Sequence, residues 1–209
     1  MQQQLQIFEG YCDTLYGTRG AVNTSQEARQ QADEALKKFT EDVQNLPMLR
    51  YFMENSDSKE VKFLSASAMK QLFTAHWLKI PVQEKMAIKE YMLRYLREQG
   101  PQMDQGVLKM VITLLAKIVK MSWFDHPELQ GIVADLTNLQ SLSERHLYIS
   151  LAAIHDLIIE MSYVHKVKNL TVNRRISLSF RDSALFQIFK QSLVYVQQFT
   201  DQILTQQGL

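Results

Sequence analysis

Residues 82–121, VQEKMAIKEYMLRYLREQGPQMDQGVLKMVITLLAKIVKM, decide how this chain folds. Ile88, Tyr91, Met92, Tyr95 and Leu96 recur at helical intervals and share one helix face, with Gln83, Glu90, Arg94 and Arg97 on the opposite face. Gly100-Pro101 then stops the helix, because the residue before a proline is pushed out of the α region. A second apolar run, 103–121, follows at once. Gly100-Pro101 is the strongest stop in the sequence, and it divides one helix pair from the next.

The same pattern extends both ways. Towards the N-terminus, Ile80-Pro81 ends a helix that starts at the polar break Asn55-Ser56-Asp57-Ser58. Val61, Leu64, Ala68, Leu72 and Ala75 form its buried side. Leu46 to Met53 reads as a short apolar segment of one or two turns. Residues 26–43 form a helix with Ala28, Ala32, Ala35, Leu36 and Phe39 inward and Gln30, Glu34, Lys37 and Lys38 outward; its small alanines imply close approach to a neighbour. Gly17 to Ser25 is a loop, and residues 5–16 form the first helix, around Leu5, Phe8, Cys12 and Leu15. Towards the C-terminus, Pro127 opens a helix to about residue 141, and Ser143 starts another through Tyr163. A basic loop, Val164 to Arg175, leads into the last helix. Its start is predicted at a hinge, Ser177 to Ser179, with Ser179 and Asp182 as a capping box. Leu185, Ile188 and Phe189 would share its buried face, with Phe186 at the border.

Helix pairs thus begin near residues 4, 58, 103 and 143. Two-helix units of about 40–47 residues are the HEAT and armadillo pattern, in which each pair needs its neighbours to bury its apolar face. The expected fold is all-α, a right-handed α-solenoid of HEAT-type helix pairs, with about four repeats and eight long helices. The approximate repeats are 1–54, 55–100, 101–141 and 142–209. A closed helical bundle is the rival architecture, and the short proline turns favour the solenoid.

Composition narrows the function. With 46% hydrophobic residues in 209, the chain can bury a sizeable core. A net charge of +1 offers no nucleic-acid footprint. The single cysteine, Cys12, excludes an intramolecular disulfide framework and a cysteine-rich zinc site, and its apolar neighbours make it a packing residue. Lys109, Lys117 and Lys120 interrupt one of the most apolar helices, and His155, Asp156 and Glu160 the other, so neither suits a membrane. The opening MQQQLQIFEG lacks a signal-peptide pattern. The chain contains no GxxxxGK[ST] phosphate loop, GxSxG elbow or His-Glu-x-x-His spacing. His155-Asp156 with Glu160 reads as a half-buried histidine satisfied by a carboxylate. Lys166, Lys168, Arg174, Arg175 and Arg181 read as a solvated basic loop, with Phe180 and Tyr163 in the core. No catalytic residue, cofactor or metal is expected.

Three stretches resemble a known family. They are Ala32-Asp33-Glu34-Ala35-Leu36-Lys37-Lys38-Phe39, Lys120-Met121-Ser122-Trp123-Phe124-Asp125 and NRRISLSFRDSALFQIF at 173–189. In order and spacing they are similar to the N-terminal HEAT repeats of exportin-7-like receptors in the importin-β superfamily. The resemblance implies the first repeats of a longer nuclear transport receptor. Such repeats would bind the small GTPase Ran in its GTP form, and the full arch would carry cargo proteins past nuclear pore proteins between nucleus and cytoplasm. No nucleic acid or membrane partner is implied. The superfamily presents the second helices of its repeats on the concave side. Helical phase puts Glu34, Lys37 and Lys38, then Glu90, Arg94 and Arg97, at the exposed positions of those helices, as the candidate contact face. The alternative is a HEAT-repeat interaction scaffold with no GTPase partner.

Overall fold

The computed structural model describes residues 1–17, 25–163 and 170–206, and among these every regular element is helical. The α-helices are α1 (Gln2–Tyr16), α2 (Gln26–Glu41), α3 (Leu46–Asn55), α4 (Lys59–His76) and α5 (Val82–Glu98), followed by α6 (Gln105–Ser122), α7 (Ile132–Gln140), α8 (Glu144–Ser162), α9 (Leu170–Phe180) and α10 (Phe186–Gln206). Side chains of Ser25, Ser58, Asp104 and Ser143 accept from first-turn N–H groups of α2, α4, α6 and α8, which would otherwise lack partners. Gly17 closes α1 with φ 67°, a left-handed conformation that glycine adopts without a Cβ penalty.

Helices α4, α6 and α8 stack side by side in one row. Helix α3 packs on α4, α5 on α6 and α7 on α8, which makes a second row. The result is an α-solenoid of HEAT-type pairs. Polar contacts between successive pairs record its period. The Tyr95 hydroxyl donates to the Met53 carbonyl, Trp77 Nε1 to the Met121 carbonyl, and Gln105 Nε2 to the Tyr148 hydroxyl. These partners lie 42, 44 and 43 residues apart, as stacked like units require. Two of the stretches that carried the family resemblance meet in space. The Trp123 ring stands edge-on to Phe180 at 5.6 Å, its Nε1 donates to Ser179 Oγ at 3.0 Å, and the Arg175 guanidinium lies 5.2 Å from the Phe124 centroid.

Several sequence expectations are corrected. The segment after Asn45 is a ten-residue helix, α3, and not one or two turns. Leu49, Phe52 and Met53 are fully buried. Phe52 packs against Phe8 and Phe39 at 4.9 and 5.6 Å, so α3 helps join the N-terminal cluster to the main core. Residues 127–131 form a 3₁₀ turn, and α7 proper starts at Ile132. Ala75 is exposed, as are Tyr163 and His155, because each sits on the outer side of its helix or at its end.

The predicted hinge and capping box do not exist. Residues 170–175 are helical, and α9 passes through a π turn, Arg181–Leu185, directly into α10. Ser179 Oγ accepts from Trp123, and Asp182 accepts from Arg181 Nε, so neither caps a helix start. A π turn holds an extra residue, which rotates the helical phase that follows. Ala184 and Ile188 therefore point inward, while Phe186 and Phe189 face outward at 63% and 57% exposure. The expected loops at 18–24 and 164–169, with Lys166 and Lys168, lie outside the described residues.

Candidate functional site

The six residues read from helical phase are all exposed, but they fall into two groups. Glu34, Lys37 and Lys38 lie on α2, which packs against α1 and α4. Lys38 lines a groove of about 330 Å³ with Gln4, Ile7, Tyr11 and Asp42. Glu90, Arg94 and Arg97 lie on α5, which packs against α6 and α7. They line a smaller groove of about 140 Å³ with Asp135, Asn138 and Leu139 of α7. The second-row position before α4 belongs to α3, so the surface continuous with α5 is built from α3 and α7. The sequence reading takes α2 and α5 as the second helices of repeats one and two; in the structure α5 packs on the following α6 as the first helix of its pair, and α2 packs beside α4 of the other row.

Arg94 stands between two grooves. On the α7 side it joins Glu90 and Arg97. On the α3 side it lines a space of about 310 Å³ with Glu54, Tyr91, Tyr95 and Glu98. Its guanidinium is 3.7 Å from Glu54 Oε1 and 5.8 Å from the Tyr91 ring, whose face Arg50 covers at 4.0 Å. Burial pushes the Tyr91 hydroxyl well above the ordinary tyrosine range and Tyr95 up to about 12; the Tyr95 hydroxyl donates to the Met53 carbonyl, whereas the buried Tyr91 hydroxyl has no hydrogen-bond partner. The face alternates charge: Glu54, Glu90 and Asp135 against Arg94 and Arg97. It suits a protein surface with both signs of charge and lacks the one-sided basic stripe of a nucleic-acid reader.

Two buried lysines hold this face in place. Lys85 Nζ donates to Asp125 Oδ2 at 2.6 Å and lies 4.8 Å from the Trp77 ring. Lys89 Nζ donates to the Glu128 carbonyl at 3.1 Å and is 2.6 Å from Asp135 Oδ2. Both residues are 5% exposed. Together they clamp α5 to the 125–135 segment. Neither lysine stands out in the sequence, since an uncompensated lysine is almost never buried. The available signal was an acidic residue about one repeat further along. The next joint repeats the device, with Lys117 and Lys120 on Glu160 at 3.0 and 3.6 Å.

Asp156, read from sequence beside His155, belongs to a further joint: Lys109 Nζ donates to it at 2.5 Å and Thr113 Oγ1 at 3.2 Å. His155 itself is exposed, not half-buried, with Nδ1 3.4 Å from Asp156. Arg174, Arg175 and Arg181 are exposed. Among the described residues no group of three or more His, Cys, Asp or Glu could hold a metal ion, and no helix is long and apolar enough to cross a membrane.

Residues 32–98 match the importin-β N-terminal domain. That span runs from α2 through α5 and contains all six candidate residues. The chain is 30% identical to exportin-7-A of Xenopus laevis over 194 residues, 91% of this chain and 17% of that protein. It is 28% identical to Ran-binding protein 16 of Drosophila melanogaster, covering 90% of this chain and 16% of that one. It is 27% identical to Ran-binding protein 17 of Homo sapiens, covering 88% and 16%. The chain thus spans about one-sixth of the length of these curated relatives. It is a homologue of exportin-7 and of Ran-binding proteins 16 and 17, and it carries an importin-β N-terminal domain.

Proposed function

We propose that this chain is the N-terminal four-repeat part of a nuclear transport receptor and that it binds Ran in its GTP form. The observation that carries the reading is the coincidence of two facts. Relatives named as Ran-binding proteins align along nearly the whole chain, and the matched importin-β N-terminal domain contains the mixed-charge surface on α5. In this reading Glu90, Arg94 and Arg97, extended by Glu54 and Asp135, meet the GTPase. Glu34, Lys37 and Lys38 on α2 form a second, separate contact. GTP orders the switch segments of a small GTPase, so a surface that reads those segments distinguishes GTP from GDP. Later repeats of a longer chain would complete the site, and the full receptor would carry cargo through the nuclear pore between nucleus and cytoplasm.

The test is a pull-down of Ran loaded with GTP or GDP by wild type and by the Arg94→Glu/Arg97→Glu double variant. The expected result is weak, salt-sensitive binding that favours the GTP form and falls in the double variant, since charges at a contact rim act mainly on association rate. Circular dichroism checks the fold, which exposed substitutions of this kind change by only about 0.5 kcal/mol per site. Equal binding to both nucleotide states, or none even in a chain extended through later repeats, would leave the interaction scaffold as the reading. Unchanged binding in the double variant would reject those two arginines alone.

A further inference from the structure

The stretch Arg174-Arg175-Ile176-Ser177-Leu178 takes no part in the surface assigned to the GTPase. Ser177 is the one serine or threonine of the chain with arginines both three and two residues before it. Arginine is always ionised and pairs bidentately with carboxylates, so two in succession address an acidic cleft. An apolar residue directly after the serine fills a neighbouring apolar pocket. Charge patterns of this kind are how serine kinases tell their substrates apart. Arg174 and Arg175 are exposed, and Leu178 is 41% exposed. Thr40 follows Lys37-Lys38, but Glu41 stands where the apolar residue is needed.

The Ser177 hydroxyl also holds α9 to α8. It donates to the Met161 carbonyl at 2.6 Å and lies 3.1 Å from the Asn173 carbonyl. Met161 belongs to the last turn of α8, where carbonyls lack helical partners and the partial charge is negative. Lys120 Nζ takes the Glu160 and Tyr163 carbonyls of that helix end, and Ser177 serves Met161. A phosphoserine has no proton to donate there and carries about −1.5 to −2 charges at pH 7. It must leave the carbonyls and turn outward, where Arg174 lies one turn back on the same helix.

A kinase takes its serine from extended chain, so α9 has to open. Its anchors are few. Asn173, Ile176 and Phe180 are its buried residues, and Asn173 Nδ2 has no hydrogen-bond partner among the described residues. A buried donor left without a partner lowers the cost of opening. The π turn Arg181–Leu185 already interrupts the α-helical ladder, so opening can stop there without unwinding α10.

We propose that Ser177 is a phosphorylation site for a kinase that reads basic residues before its serine, and that the phosphate releases α9 from the end of α8. The bond from Ser177 Oγ to the γ-phosphorus of ATP forms, and the bond from that phosphorus to its bridging oxygen breaks. ADP leaves, and the hydroxyl proton passes to the kinase's carboxylate base. Nothing in this inference depends on the GTPase reading.

The test treats the purified chain with ATP, Mg²⁺ and the catalytic subunit of cyclic-AMP-dependent protein kinase, beside a peptide of residues 171–181, and locates the phosphate by mass spectrometry. Ser177 should be modified in both, more slowly in the chain, since only the opened α9 is a substrate. Arg174→Gln/Arg175→Gln should slow both by more than about tenfold, with the chain's circular dichroism unchanged. In the phosphorylated chain, amide exchange across residues 170–180 should rise about tenfold. Phosphate on the peptide but not on the chain would overturn the proposal. So would modification at Thr40 in place of Ser177, or an undiminished rate in the double variant. Unchanged exchange across 170–180 after phosphorylation would overturn the release of α9.

Discussion

Replacing Lys89 with methionine tests whether the buried lysines fix the geometry of the α5–α7 surface. Methionine keeps roughly the volume and shape of the lysine stem, so the loss is chiefly polar. The variant removes a 2.6 Å ion pair to Asp135 and a 3.1 Å hydrogen bond to the Glu128 carbonyl. Hydrogen bonds to charged groups contribute about 1.5–3 kcal/mol each, which sets an upper range of about 3–6 kcal/mol. The Asp135 side chain is 36% exposed and can turn to water once its partner has gone, so its share is reduced. A loss of about 2–4 kcal/mol remains. Urea unfolding followed by circular dichroism measures it, with Asp135→Asn and the double variant completing a cycle. The pair should couple by about 1.5–3 kcal/mol. Since each repeat is stabilised by its neighbours, hydrogen exchange in Lys89→Met should rise first in α7 and at its joint with α5. The exposed pair Arg94–Glu54, at 3.7 Å with side chains 55% and 38% exposed, is the control: Arg94→Met should cost below about 0.5 kcal/mol. A cost below about 1 kcal/mol for Lys89→Met, or strict additivity in the cycle, would refute the reasoning.

Trp123→Phe should cost about 2–4 kcal/mol, because it leaves a void under Phe180 and removes the donor to Ser179; Ser179→Ala, which removes the acceptor alone, should cost about 1 kcal/mol by the same urea unfolding. Stability should fall as the solution becomes alkaline. Burial raises the Cys12 thiol from 9.0 to about 12 and the Tyr95 hydroxyl from 10.0 to about 12, so the folded chain keeps protons that the unfolded chain releases. That contribution is complete below pH 9 and is lost between about 9 and 12, and Cys12→Ala should flatten the fall measured by urea midpoints. Cys12, 1% exposed, should resist iodoacetamide at pH 8 in the folded chain and react once urea is added; prompt reaction without urea would refute its burial.

Much of this molecule can be read from its residues in order. The stops at Gly100-Pro101 and Ile80-Pro81, the caps at Ser25, Ser58 and Ser143, and the apolar stripe of α5 are local. Helix limits and facing depend on backbone sterics, N–H satisfaction and a 3.6-residue period, all present within one or two turns. Stacking follows, because a helix with one apolar stripe must find a neighbour, but the pairing does not: the expected units 55–100 and 101–141 would join α4 to α5 and α6 to α7, whereas α3 packs on α4, α5 on α6 and α7 on α8. The exposure of Glu90, Arg94 and Arg97 also follows from phase. What the sequence could not supply was the row each helix joins. Ten apolar-rich residues at 46–55 look like a connector until Phe52 meets Phe8 and Phe39. Once α3 fills the second row, α2 and its Glu34, Lys37 and Lys38 leave the α5 surface. The burial of Lys85 and Lys89 was equally hidden, since their acidic partners become neighbours only after the repeats stack. At 177–182 the local signals were misleading. Ser179 and Asp182 match a helix start, yet a tertiary hydrogen bond from Trp123 holds Ser179 inside a continuous helix. The π turn that follows moves Phe186 and Phe189 to the surface. Local chemistry fixes where helices begin and which side is apolar; only packing between distant repeats decides which polar groups become partners and which apolar face is left over.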